Sequence, residues 1–422
     1  MTNLESVVRN ELAFVTGATG LLGNNLVRLL VSRGVHVRAL VRSREKAEKQ
    51  FENLPVEIVV GEVTNVPRFA ALLEGVTAIY HTVAYFRENY QGGKHWNELY
   101  ETNVRGTAAL FEEAHRAGVR RIVHTSSVAV LTGARGQVID ETMGRRAAEA
   151  DDYYRSKILT DREVDTFLEK HPEMWACLVL PGWMVGPGDR GPTSSGQVIL
   201  DFLRRKLPGV PPATFSVVDA RDVAETMWLA GQKGRRGERY IAAGRHMSMA
   251  ELFQNLERVS GVPSPRWEVP SPILYLLGVA NEIWSRFSRQ PALISLATVQ
   301  LMLQERDRTQ FIHGKTEREL GIRFRPVEET LRDTITWYRE NGWLEQLHSE
   351  QISHWPSRES GIDEDCKHTS RHWKWARGRS SFGLTSRFLK SNWVQRWLAT
   401  ERIARAELSP YAHIWAYSGW LH

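Results

Sequence analysis

Short apolar runs alternate with amphipathic stretches through the first half of the chain. Leu12–Thr16 is apolar and leads through a glycine turn into an amphipathic stretch from Leu21 to Leu30. Further apolar runs stand at Val35–Val41, Val56–Val60, Ala78–His81, Arg121–His124 and Trp175–Leu180. Helical patterns separate them, the longest from about His95 to Ala117. Short apolar runs divided by helical patterns read as buried strands. Their alternation predicts parallel βαβ units and an α/β fold built on a doubly wound parallel sheet.

After about Gly182 the rhythm changes. Loops rich in Gly and Pro appear at Gly186–Pro192 and Leu207–Pro212, and helical patterns dominate at Met249–Val259, Pro272–Phe287 and Pro326–Asn341. The expected organisation is a dinucleotide-binding domain over 1–182, to which later segments return, and a smaller C-terminal substrate lobe with closing helices over 183–344. Residues 345–422 form an extra C-terminal tail. This tail holds 7 of the 15 tryptophans and 6 of the 14 histidines without a sustained period. It is expected to be disordered or dispensable. Trp393–Ala404 is its one candidate basic amphipathic helix, of a kind that touches a membrane surface or a partner.

Composition narrows the class. With 42% apolar and 25% charged residues the 422-residue chain is an ordinary globular protein. Two cysteines, Cys177 and Cys366, exclude a disulfide framework and a cysteine-rich zinc site. No metal centre is expected. A formal charge of +6 is too mild to argue for nucleic acid. Met1–Leu12 carries no apolar signal core, and the longest apolar stretch, near Ile273–Ala280, is too short to span a bilayer. The expected setting is cytoplasmic, with no integral membrane segment and a small-molecule substrate as the partner.

The glycine turn carries the first chemistry. Gly17, Gly20 and Gly23 are spaced G-x-x-G-x-x-G between the first strand and the first helix. Glycines admit a tight turn and close backbone approach to a pyrophosphate, and the helix beginning at Leu21 and Leu22 points its N–H groups at the anion. The second strand ends in Arg42 where an NAD site would carry a carboxylate, so NADP(H) is favoured and NAD(H) remains open. Glu62-Val63 follows the third strand, where the acid can read an adenine amino group.

Tyr153 and Lys157 form Tyr-x-x-x-Lys, and positions i and i+4 share a helix face. A neighbouring ammonium favours the phenolate, and such a tyrosine exchanges protons with a carbonyl or alcohol. Ser126 and Ser127 stand just after the fifth strand, where a hydroxyl can orient the substrate oxygen. Tyr154 is a rival to Tyr153.

These motifs, with Thr102–Thr107, Pro181–Asp189, Val218–Ala224 and Lys315–Gly321, resemble an extended short-chain dehydrogenase/reductase of the NAD-dependent epimerase/dehydratase family. The likeness runs from Leu12 to Leu344 and is nearest to dihydroflavonol-4-reductase-like proteins and hopanoid-associated sugar epimerases. It implies a Rossmann fold, Tyr153 as general acid/base and Lys157 as its activator and ribose ligand. Ser127 becomes the substrate-orienting hydroxyl, with Ser126 as competitor. Asn103 matches the helix asparagine that supports a proton relay, or else satisfies a local kink. Ala84 and Pro181 fall at the cofactor's strand-end contacts. A homodimer through the long helices is implied by the likeness alone. The fourth strand departs from the family's alanine-rich ending with His81-Thr82-Val83-Ala84.

Tyr85, Phe86, Tyr90, Trp183, Met184 and Thr193–Ser195 are candidate pocket residues, and their character suggests a hydrophobic or ring-shaped substrate. The leading function is an NADP(H)-dependent oxidoreductase that moves hydride between nicotinamide and a carbonyl or alcohol. The alternatives are a nucleotide-sugar epimerase or dehydratase with tightly held NAD, and a non-catalytic dinucleotide sensor.

Overall fold

The computed structural model describes residues 11–86, 95–276, 278–279 and 296–344. Tyr90, the tail beyond Leu344 and much of the stretch expected to be a helix at Pro272–Phe287 lie outside the described residues.

The strands are β1 (Leu12–Thr16), β2 (His36–Val41), β3 (Val56–Val60), β4 (Ala78–His81), β5 (Arg121–Thr125) and β6 (Trp175–Pro181). Two short strands, β7 (Trp183–Val185) and β8 (Thr214–Asp219), precede β9 (Arg239–Ala242) and β10 (Arg245–Ser248). The helices that matter for the site are α1 (Leu21–Ser32), α2 (Arg44–Gln50), α3 (Gly106–Arg116) and α4 (Asp152–Lys170).

Seven strands form one sheet in the order β3-β2-β1-β4-β5-β6-β9. Every pairing in it is parallel. Successive side chains of a strand point to opposite faces. Ala13 and Val15 therefore enter one core with Leu26, Leu30 and Val223, while Phe14 enters a second with Leu110, Phe111 and Phe167. Helices on both faces cover a sheet with such continuous apolar strands. The chain order reverses at β1, between β2 and β4, which opens the crevice at the carboxyl ends of the strands.

The smaller lobe is a three-stranded sheet, β10-β8-β7, with its own core around Ile199, Leu203, Leu252, Phe253, Leu331 and Tyr338. β9 belongs to the large sheet, so the chain returns to that sheet after forming β7 and β8.

The stretch from about His95 to Ala117, expected to be one helix, is interrupted. A π turn at Tyr100–Arg105 separates the short helix Trp96–Leu99 from α3. The extra residue of such a turn is found mostly at functional sites. Here it presents the Asn103 carbonyl to two hydroxyls, those of Thr107 at 2.6 Å and Thr160 at 2.9 Å.

Candidate active site

The glycine turn is built for close approach. Gly17 has φ +65°, and a Cβ there would lie 2.7 Å from Thr82 Oγ1. A Cβ on Gly23 would lie 2.2 Å from the Gly17 carbonyl oxygen. Gly20 precedes α1 without a side-chain cap, and the first turn of α1 carries no acidic residue. The N–H groups at Leu21, Leu22 and Gly23 thus have no acidic side chain of their own turn beside them, while both leucine side chains are buried and anchor the turn. This backbone cradle fits a dinucleotide's pyrophosphate. Asn25 donates to the carbonyl of Pro187 at 2.9 Å, and Asn24 donates to that of Gly188 at 3.4 Å. These two bonds tie the cradle to the loop leading into the smaller lobe.

The other residues expected at the cofactor, Arg42, Glu62, Val63, Ala84 and Pro181, lie at or just beyond neighbouring strand ends. Arg42 is exposed directly beyond β2, and Ser43 caps α2 behind it. Glu62 is exposed beyond β3, and its carboxylate accepts from the Thr64 hydroxyl at 3.5 Å. Val63 is buried against Gly106. Ala84 is exposed beyond β4, and Pro181 is buried at the end of β6.

α4 begins where Asp151 accepts from the Tyr154 N–H at 2.8 Å. Tyr153, Lys157 and Asp161, spaced i, i+4, i+8, are all buried along one face. Lys157 is 2% exposed, and its ammonium donates to the Thr125 carbonyl at 2.8 Å. Burial pulls the lysine down to about 8, against the opposing pull of Asp161. Burial raises the Asp161 carboxyl to about 6, opposed by Arg239 and by Lys157.

The Tyr153 ring meets Phe86 edge-on at 4.5 Å and joins a cluster with Leu99, Ala129, Tyr85 and Tyr154. Tyr154 lies under the Arg145 guanidinium, 4.9 Å from its ring centre. Ser127 is partly exposed and accepts from the Ala129 N–H at 3.1 Å, so the Ser127 turn is held against the Tyr153 cluster. Ser126 is 3% exposed, and its N–H is used by the Val179 carbonyl. Of the two serines, Ser127 is the more exposed.

Asn103 sits in the π turn. Its side chain accepts from the Tyr85 N–H at 2.6 Å and donates to the Tyr85 carbonyl at 3.1 Å and to Ser156 Oγ at 3.0 Å. It therefore clamps the loop after β4 to α4 from within the kink.

A buried network missed by the sequence reading lies behind this clamp. The Thr107 hydroxyl donates to Asn103 O, so it must accept from His81 Nε2–H at 2.9 Å. His81 Nδ1 then accepts from the Thr16 hydroxyl at 2.7 Å. Burial holds this imidazole at about 3, helped by the Lys157 charge, so it is neutral. His124 stacks on it with ring centres 5.3 Å apart. His81 thus links the strand before the glycine turn to the π turn. The only sequence signal was a polar residue closing a strand.

Thr193 and Ser195, candidate pocket residues, also take part in the frame's local hydrogen bonds. Thr193 caps the helix Ser194–Leu203 and donates to Asp189, while Ser195 bonds Thr193 and the Met184 carbonyl. Trp183 stacks on Phe215 at 4.8 Å.

The comparisons with known proteins agree with this architecture. The model of the "NAD dependent epimerase/dehydratase family" matches residues 13–243. Sterol demethylase protein B of Methylococcus capsulatus is 34% identical over 78% of this chain and 99% of its own length. A dihydroflavonol 4-reductase-like protein of Synechocystis is 32% identical over 78% of this chain and 95% of its own. The crystal structure of gox2253 superposes with a TM-score of 0.67 at 30% identity, covering 79% of this chain and 99% of that one. The chain belongs to the NAD-dependent epimerase/dehydratase family and is an oxidoreductase of the extended short-chain dehydrogenase/reductase type.

Proposed function

We propose that this protein is an NADP(H)-dependent reductase or dehydrogenase acting on a carbonyl or alcohol of a hydrophobic, ring-bearing small molecule. The observation that carries the reading is the Tyr153–Lys157 face of α4, buried beside Thr125 and opening on Tyr85, Phe86 and Tyr154. The glycine cradle holds the pyrophosphate, and Arg42 supplies a guanidinium for a ribose phosphate. The bound nicotinamide supplies or accepts the hydride. Ser127 Oγ orients the substrate oxygen, and the Tyr153 hydroxyl gives that oxygen a proton in the reductive direction. The Lys157 charge lowers the cost of the phenolate that remains. Asn103 holds the aromatic loop against the helix that carries both groups.

The names of the two relatives refer to a sterol and to a flavonoid, both polycyclic, in keeping with an aromatic pocket. A sugar nucleotide would want free basic groups on the smaller lobe. Arg204, the first of the basic residues there, donates to the Trp343 carbonyl at 2.8 Å and closes a helix end.

The test is NADPH oxidation with a panel of hydrophobic cyclic ketones beside a panel of nucleotide sugars. Turnover of at least one ketone, with NADPH consumed in step, is expected. NAD retained through purification, together with epimerisation of a nucleotide sugar, would replace this reading with the epimerase alternative.

A further inference from the structure

The helix pair that carries the candidate site ends in a second polar cluster, where the chain leaves α3 for β5 and α4 for β6. α3 closes with His115 and Arg116, and α4 is followed at once by His171, Pro172 and Glu173. His115 Nε2 lies 2.6 Å from Glu173 Oε1, and His171 Nδ1 lies 3.7 Å from the same oxygen. One ligand atom from each of the three residues lies within 4.8 Å of the others.

We propose that His115, His171 and Glu173 bind a divalent transition metal, with zinc the best match. Two imidazoles and one carboxylate are a ligand set that zinc accepts, at metal–ligand distances of about 2.0–2.2 Å. Tetrahedral ligation at that length puts ligand atoms about 3.4 Å apart. The His171–Glu173 spacing is near that value, and the His115–Glu173 contact has only to open modestly.

A second observation concerns the far side of His171. Its ring packs on Phe167 at 4.8 Å and on His115 at 4.1 Å, which fixes its orientation. With Nδ1 turned to the cluster, Nε2 is buried without a hydrogen bond, and Glu112 Oε2 stands 3.5 Å away. Metal-bound histidines commonly direct their other ring N–H to a carboxylate, which sets the tautomer and raises ligand basicity. Glu112 is placed for that role, and Lys170 holds it at 2.8 Å. The turn itself is anchored by the His171 N–H to the Phe167 carbonyl and by the Met174 N–H to the His171 carbonyl, both at 3.0 Å. The side chains of His115 and Glu173 are 34% and 42% exposed, which leaves room for a water as fourth ligand.

The site would act as a clip between α3 and the turn after α4. Tyr153 and His171 lie at opposite ends of α4, roughly 27 Å apart along the axis. The metal is therefore structural and takes no part in proton or hydride transfer. No local spacing announces it, since His115 and Glu173 are 58 residues apart.

The test is calorimetric titration of the full-length protein with zinc chloride, comparing wild type with His115→Gln, Glu173→Gln and Glu112→Gln. The tail's histidines can also take zinc, so the difference between wild type and variants is what is read. Wild type should bind one zinc more than His115→Gln or Glu173→Gln, with Kd of about 1 µM or tighter. Glu112→Gln should keep that zinc with affinity lowered about 10- to 100-fold. Zinc should raise the Tm of wild type and not that of the two ligand variants. Glu173 is exposed, so its variant serves if His115→Gln fails to fold. Equal stoichiometry and equal Tm response in wild type and ligand variants would overturn the proposal and leave a His–Glu hydrogen bond.

Discussion

The ammonium of Lys157 donates to the main-chain carbonyl of Thr125 across 2.8 Å, beneath the carboxyl ends of the central strands. This bond ties α4 to the end of β5 and holds the lysine one turn from Tyr153. In the proposed mechanism its charge favours the Tyr153 phenolate. Lys157→Met should lower turnover about 10²–10⁴-fold. The variant should remain folded, with a destabilisation of about 1–3 kcal/mol for the carbonyl left unpaired. Steady-state rates and a thermal melt on the same sample check both parts.

Tyr153→Phe removes one hydroxyl and keeps the ring that packs on Phe86. Turnover should fall about 10²–10⁴-fold while NADPH affinity stays within a few-fold of wild type. Stopped-flow rates with a fluorescence titration of the cofactor separate the two effects. Unchanged turnover would remove Tyr153 from the chemistry.

Asp161 supports the charge on Lys157 from one turn further along α4. Burial lowers the lysine to about 8 and the carboxylate resists that fall. Asp161→Asn withdraws the resistance, so Lys157 should lose its proton at lower pH. The basic limb of the pH–rate profile should move to lower pH than in wild type. A limb that stays in place, or moves up, would show that Asp161 does not act on Lys157.

His81 is buried and neutral, with its imidazole held at about 3. An unfolded histidine takes a proton near 6.5. Between those values the unfolded chain binds more protons, so His81's contribution is complete above about pH 6.5 and is lost as pH falls toward 3. His81→Phe should flatten that slope of stability against pH. It should also cost about 2–4 kcal/mol, because the Thr16 and Thr107 hydroxyls lose their buried partner. Urea unfolding at several pH values between 4 and 7 measures both. His124, also buried and lowered, will keep part of the slope.

Much of this was readable because local and global signals coincide. Val56–Val60 and Ala78–His81 are strands at the residues where the apolar runs stand, and Leu21 begins α1 directly after the glycine turn. The lobe's β7 was harder, since the three residues Trp183–Val185 show no usable period and run into a loop rich in Gly and Pro. The π turn is invisible to a 3.6-residue pattern, because its extra residue leaves the flanking apolar positions helical on both sides. His81 closes a strand, and its importance arises from Thr16 and Thr107, which only the fold brings to it. The hydrogen bonds of Thr193 to Asp189 and Ser195 were equally illegible, since they depend on how the loop after β7 folds back on itself.

Arg42 stands exposed beyond β2 where a carboxylate would otherwise meet the ribose. Arg42→Asp should weaken NADPH at least tenfold, about 1.4 kcal/mol, and change NADH little. Equal loss for both cofactors would remove the phosphate contact from the account.

Titration of the purified wild-type protein with NADPH and with NADH, followed by calorimetry, decides whether this is an NADP(H) enzyme. Exchangeable, saturable binding that is tighter for NADPH is expected, with no nucleotide carried through purification. Binding of neither cofactor, or NAD retained so tightly that added NADPH finds no site, would contradict it.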